Sequence, residues 1–138
     1  MISVKNALRG VVVAGMLLAA VPLHAEYLRI QLHVLGLDCD LCARGVSASI
    51  QRMAGVESVE VSLKTGTLEI ALMPGNSVKM SELRKRIRDN GFKATDAKVT
   101  AIGRFNGAKF EVIGPSESYD VRADSTAAGP VSMTFNIH

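Results

Sequence analysis

The sequence predicts an α+β domain: two helices on one face of a four-stranded antiparallel sheet, followed by a small C-terminal β meander. Three observations point there. Tyr27–Leu35 and Val56–Leu72 alternate apolar and polar side chains, the period of half-buried strands. Ala43, Val46, Ile50 and Met53 are spaced three, four and three apart, which is one helical face. Thr65-Gly66 divides the second alternating run and supplies the turn of a hairpin.

Each element follows in order. In "YLRIQLHVL", Leu28, Ile30, Leu32 and Val34 should point inward, with Arg29, Gln31 and His33 outward. Gly36 breaks that strand, and a helix begins near Asp40 and ends before Gly55. In the hairpin, Val59, Val61 and Leu63 form one inward set and Leu68, Ile70 and Leu72 another. "VKMSELRKRIRDNGF" reads as a second helix, with Ser81 as its cap, Leu83 and Ile87 buried, and Asn90-Gly91 closing it. "KATDAKVTAI" begins a fourth strand. The order β-α-β-β-α-β is that of the split β-α-β, or ferredoxin-like, arrangement. Its open sheet face explains why the strands alternate instead of being apolar throughout.

The two ends differ from this middle. "MISVKNALRGVVVAGMLLAAVPLHA" has Lys5 and Arg9, an apolar run from Val11 to Leu23, and a small residue at Ala25. That run is shorter than the roughly 18 apolar residues of a spanning helix. The segment is expected to be a secretory signal over residues 1–25, with an uncleaved anchor as the rival because Leu23 suits a cleavage site only moderately. After Thr100, Asn106-Gly107 signals another hairpin, Gly114-Pro115-Ser116 a turn, and "VSMTFNI" a last alternating run. The expected organisation is thus a domain over 26–100 and a β extension over 101–138. That extension is either a small second unit or a continuation of the fourth strand, and it is too short to bury a core alone.

Composition narrows the function classes. Two of the three net positive charges are Lys5 and Arg9, so Glu26–His138 is nearly neutral, and only six residues are Phe or Tyr, with no Trp. Nucleic acid is therefore not an expected partner. No second apolar span follows the first, so the mature chain should be an exported, periplasmic or secreted protein without a membrane span, and a monomer.

The only two cysteines, Cys39 and Cys42, stand three apart where strand gives way to helix. Helix N-terminal amides favour thiolate over thiol. A C-x-x-C loop also turns both sulfurs to one side, where a single soft ion can bridge them. Two thiolates suit Cu(I) or Hg(II), whereas Zn(II) prefers four ligands. Asp38, just before the pair, can cap the helix or stand in solvent. Asp40 adds negative charge that opposes thiolate formation without a cation.

On these residues the chain resembles the heavy-metal-associated domain family. That family includes copper chaperones, the periplasmic mercury-binding protein of mercury-resistance systems and N-terminal modules of metal-exporting P-type ATPases. Gly36, Cys39 and Cys42 match its G-M-x-C-x-x-C pattern; Gly55-Val56, Val59 and Val61 match the run that follows the helix; "DNGFKA" is similar to its second-helix exit. The family's methionine is Leu37 here. The resemblance spans about Tyr27–Thr100 and implies the ferredoxin-like fold, with Cys39 and Cys42 as soft-metal ligands. "D-C-x-x-C" resembles the variants of zinc-, cadmium- and lead-exporting ATPases, which implies Asp38 as a ligand. Phe92 stands where the family shields the metal loop.

The expectation is a non-enzymatic, exported soft-metal binder. It would hold Cu(I), Zn(II) or Hg(II) and pass the ion to a membrane metal transporter or another thiol-bearing protein. The alternative is a periplasmic thiol–disulfide oxidoreductase using the same cysteines, although the element order is not that of thioredoxin. A purely structural disulfide would close too small a loop to stabilise the chain much. His33 and His138 read as surface residues, Met73, Met80 and Met133 as core filling, and Lys79, Arg84, Lys85, Arg86 and Arg88 as a solvated helix face.

Overall fold

The computed structural model describes residues 26–107, 109–112, 117–120 and 131–138. The segment read as a secretory signal, the Gly114-Pro115-Ser116 turn and the polar loop Ala123–Pro130 lie outside the described residues. The elements are β1 Tyr27–Leu35, α1 Asp40–Gln51, β2 Val56–Ser62, β3 Thr67–Leu72, α2 Met80–Asp89, β4 Lys93–Asn106, β5 Lys109–Val112, β6 Glu117–Asp120 and β7 Val131–Ile137. All strand pairs are antiparallel, in the order β2-β3-β1-β4-β5-β6, with β7 also paired to β4. Within the β-α-β-β-α-β unit the order β2-β3-β1-β4 puts β3 and β1 in the centre, and β4 becomes an inner strand only because β5 and β7 pair with it.

The core lies between the sheet and the two helices. Ile30, Leu32 and Val34 from β1, Leu68, Ile70 and Leu72 from β3, and Ala97, Val99 and Ala101 from β4 meet Ala43, Val46 and Ile50 of α1 and Met80, Leu83 and Ile87 of α2. Burying each of the larger of these side chains is worth about 1.5–3 kcal/mol. The opposite sheet face carries exposed His33, Asp96, Lys98, Thr134 and Asn136, so it remains open to solvent.

Five local expectations change. A register shift between Tyr27 and Arg29 turns Tyr27 inward, fully buried, and leaves Leu28 half-buried. On β2, an edge strand, Val59 and Val61 are only half-buried, and Leu63 lies past the strand end, exposed. Of the methionines, Met80 is buried and Met133 half-buried, but Met73 is exposed. Ser81 does not cap α2: the helix starts from Lys79 without a side-chain cap, and Glu117 Oε2 accepts the Met80 N–H at 3.1 Å instead. Arg84 is half-buried, donating to the Ala94 carbonyl at 3.3 Å, because α2 rests on β4 at that turn.

The extension continues the fourth strand. β4 runs unbroken through Thr100, β5 and β6 follow as hairpin partners, and β7 returns to the outer edge of β4. Gly103 permits this, because a Cβ there would lie 2.4 Å from the Glu111 carbonyl oxygen and 2.6 Å from Phe110 Cζ. Phe110 in turn stacks edge-on with Phe105 and Phe135, giving β5, β4 and β7 a common aromatic cluster.

Glu117 of β6 completes the join. Its carboxylate accepts hydrogen bonds from both Tyr27 and Tyr119 as well as from the start of α2. Burial first, then the bond to Glu117, pushes the Tyr27 hydroxyl well above the ordinary tyrosine range. Burial also leads in raising Tyr119 to about 12.

Candidate metal centre

β1 ends at Leu35, and Gly36 turns the chain with φ +78, a region that side chains with a Cβ rarely adopt. Leu37 then tucks beneath the loop, 3% exposed, which anchors the segment from below. Asp38 N–H donates to the Gly36 carbonyl at 3.1 Å. Cys39 is the extended N-cap of α1, and its Sγ accepts the Cys42 N–H at 3.1 Å. The capping position therefore belongs to Cys39, not to Asp38, whose side chain is exposed.

The structure shows the oxidised form of the pair, with Cys39 and Cys42 joined as a disulfide and their Cα atoms 5.2 Å apart. Both residues are half-buried, so the sulfurs sit at the rim and not inside the core. After reduction, the Cys42 amide aimed at Cys39 Sγ favours a thiolate there. Asp40, in the first turn of α1, and Asp38 beside it work against that charge. A cation held by both sulfurs would offset their charge and so remove this opposition.

Apolar side chains share the rim with these two carboxylates. Leu41, inside the motif, is 81% exposed, and Leu35 is 49% exposed. Phe92 N–H donates to the Ile87 carbonyl at 3.1 Å, which fixes the exit from α2. Its ring is half-buried and lies 3.9 Å from where a Cβ on Gly36 would be. Phe92 and Cys42 both pack against the core cluster, so the aromatic ring flanks the loop as its sequence position implied.

Among the described residues, no three His, Cys, Asp or Glu side chains converge as a metal-holding group. The donors brought together are the two sulfurs. His33 and His138 lie on the open sheet face, and His24 lies outside the described residues. His138 does have a partner: its Nδ1 is 2.9 Å from Asp96 Oδ1. A groove of about 860 Å³ between α1 and α2, lined by Arg52, Lys79, Glu82 and Arg86 among others, contains none of the three predicted ligands. Among the described residues, no helix is long and apolar enough to cross a membrane.

Comparison with known proteins agrees with this arrangement. Residues 31–93 match the heavy-metal-associated domain. This chain carries a domain of that family. Within the heavy-metal-associated family, a 62-residue stretch is 34% identical to the probable copper-transporting ATPase HMA5 of Arabidopsis thaliana, covering 45% of this chain and 6% of the ATPase. A 61-residue stretch is 28% identical to the copper chaperone CopZ of Bacillus subtilis (strain 168), covering 44% of this chain and 87% of the chaperone. Among solved structures, a copper-binding domain from HMA7, a P-type ATPase, is 31% identical over 49% of this chain and 90% of its own, with a TM-score of 0.46. The chain spans less than a tenth of the length of the copper-transporting ATPases it matches. Everything after Lys93, including most of β4 and all of β5–β7, lies beyond the segment that matches the family.

Proposed function

We propose that this protein is an exported carrier that holds one soft metal ion, Cu(I), Zn(II) or Hg(II), between Cys39 and Cys42 and releases it by ligand exchange. The observation that carries the reading is the paired sulfurs at the first turn of α1, set on a solvent-facing rim. With two converging donors, the site favours ions content with near-linear coordination, Cu(I) and Hg(II); Zn(II) needs the exposed Asp38 carboxylate or outside ligands. Loading first requires an external dithiol reductant, which is oxidised to its own disulfide as it passes two electrons and two protons to the Cys39–Cys42 bond; the two thiols then give up those protons to solvent as the ion binds. A thiol-bearing partner, such as a membrane metal transporter, then displaces one sulfur at a time, and no covalent bond of a substrate changes. Copper chaperones and copper-transporting ATPases among the relatives support this role. The leader-like segment supports export to a periplasmic or extracellular space.

Anaerobic titration of the reduced protein with Cu(I), Zn(II) and Hg(II), against a competing chelator, tests the reading. One ion per chain is expected, with uptake abolished in the Cys39→Ser, Cys42→Ser variant; stoichiometric uptake that survives both substitutions refutes it. Asp38→Ala should weaken Zn(II) binding and leave Cu(I) binding nearly unchanged if Asp38 is the third ligand. Sequencing the exported form from its amino end should begin at Glu26.

The disulfide itself favours one second reading, a thiol–disulfide oxidoreductase. It predicts turnover of a scrambled-disulfide substrate without metal. The metal-carrier reading predicts none.

A further inference from the structure

We propose a second, weaker metal site on the open sheet face, in which His33 and His138 bind a borderline divalent cation with water completing its shell. β1, β4 and β7 run side by side, and the two histidines lie at the same level across them. His33 falls in the irregular stretch of β1 opposite Thr95 and Asp96, between the pairs Leu32–Ala97 and Val34–Ala94. His138 directly follows Ile137, which pairs with Ala97, and so stands beside Asp96 on the other side. Two strand spacings put the residues about 9.5 Å apart, a span that two imidazoles can close on a single ion.

The hydrogen bonds prepare the rings. Asp96 accepts only, so the 2.9 Å contact places a proton on His138 Nδ1 and leaves Nε2 as the free nitrogen. The Thr95 hydroxyl donates to the His33 carbonyl at 3.4 Å, so its oxygen receives the His33 Nδ1–H at 3.0 Å. A carboxylate on the far nitrogen of an imidazole is the usual support for a metal-binding histidine. Both rings line one cavity of about 370 Å³ with Gln31, Thr67, Asp96 and Asn136. Nε2 of His33 now lies near the Gly66 turn, so this exposed ring has to rotate toward His138 and give up its bond to Thr95; that bond is an exposed one, and no buried contact is broken. Lys98, at the same cavity, keeps the affinity modest. The donors are nitrogen and water, not sulfur, so the site takes Cu(II) or Ni(II), can share Zn(II) with the cysteine pair, and leaves Cu(I) and Hg(II) to the sulfurs.

The test uses the full chain with Cys39→Ser and Cys42→Ser, which silences the sulfur site and makes the result independent of the proposed function. Cu(II) is the probe, followed by electron paramagnetic resonance and by competition with a weak chelator. One Cu(II) per chain with splitting from two nitrogens is expected. His33→Ala and His138→Ala should each reduce the affinity by about tenfold or more, and Asp96→Asn by about tenfold at least, as supporting partners of ligands do. No stoichiometric uptake, a one-nitrogen spectrum, or uptake unchanged in either histidine variant overturns the proposal.

Discussion

Glu117→Ala removes the carboxylate that ties β6 to both β1 and α2, and its cost can be worked from the contacts. The Met80 N–H loses its acceptor, and loss of a helix N-terminal partner costs about 1 kcal/mol. Tyr119 loses a 3.2 Å bond and Tyr27 loses its bond to Glu117, and one hydroxyl is then free to donate to the other. Two weakened hydrogen bonds to a charged acceptor add about 1–3 kcal/mol. The sum is roughly 2–4 kcal/mol, measured as a lower midpoint in urea unfolding of the disulfide-intact chain. A cycle with Tyr27→Phe separates the local term: the pair should couple by about 1 kcal/mol, because the buried Tyr27 hydroxyl no longer loses Glu117 twice. Metal uptake by the reduced cysteines should not move. A Glu117→Ala variant within about 0.5 kcal/mol of the parent, or a coupling near zero, would refute the claim that this carboxylate clamps the extension.

The same network predicts an alkaline transition. Tyr27 and Tyr119 are the only tyrosines and there is no Trp, so tyrosinate absorbance reports this cluster alone. Both folded values are raised, Tyr119 to about 12, so the folded chain retains protons that the unfolded chain has released. The stabilisation is complete below pH ~10 and is lost as pH rises toward 12; absorbance that rises near pH 10 while the fold persists would contradict the burial. Gly103→Ala should cost at least about 2 kcal/mol in the same unfolding assay, because its Cβ would meet the Glu111 carbonyl and the Phe110 ring together. Ser81→Ala should be silent, within about 0.5 kcal/mol, since Ser81 makes no cap.

Local pattern explains which parts of the molecule could be read from the chain. Ala43, Val46 and Ile50 on α1, or Leu68, Ile70 and Leu72 on β3, carry their burial in their spacing, because each element has one face toward one core. The cysteine pair is equally local: loop, cap and helix start lie within four residues, so motif and geometry coincide. Tyr27 and Glu117 are ninety residues apart and meet only because the β5–β6 hairpin, carried on β4, brings Glu117 to the start of β1. No periodicity encodes that encounter. The inward turn of Tyr27 is hidden for the same reason, since a register shift against β4 decides it and the alternation in "YLRI" names Leu28 instead. The cap of α2 went to a distant carboxylate, while the nearby serine that looks like one stayed idle.

The positions of the two unlike ends argue that binding and anchoring are separate. β1 starts at Tyr27, inside the Glu117 cluster, and ends at Leu35, one residue before the turn into the cysteine loop. α2 repeats the polarity: Met80 touches Glu117, and the chain leaving its other end brings Phe92 to the loop. A nine-residue strand spans about 27 Å, far beyond the reach of a hydrogen bond or a screened charge. Along that distance run Ile30, Leu32, Val34, Leu83 and Ile87, all essentially inaccessible to solvent. A close-packed path of this kind holds both ends in place without needing two arrangements of its own, and coupling between sites requires such a bistable element. Weakening the Glu117 clamp should therefore lower the stability of the fold as a whole, while the intrinsic affinity of the folded chain for its metal stays where it was.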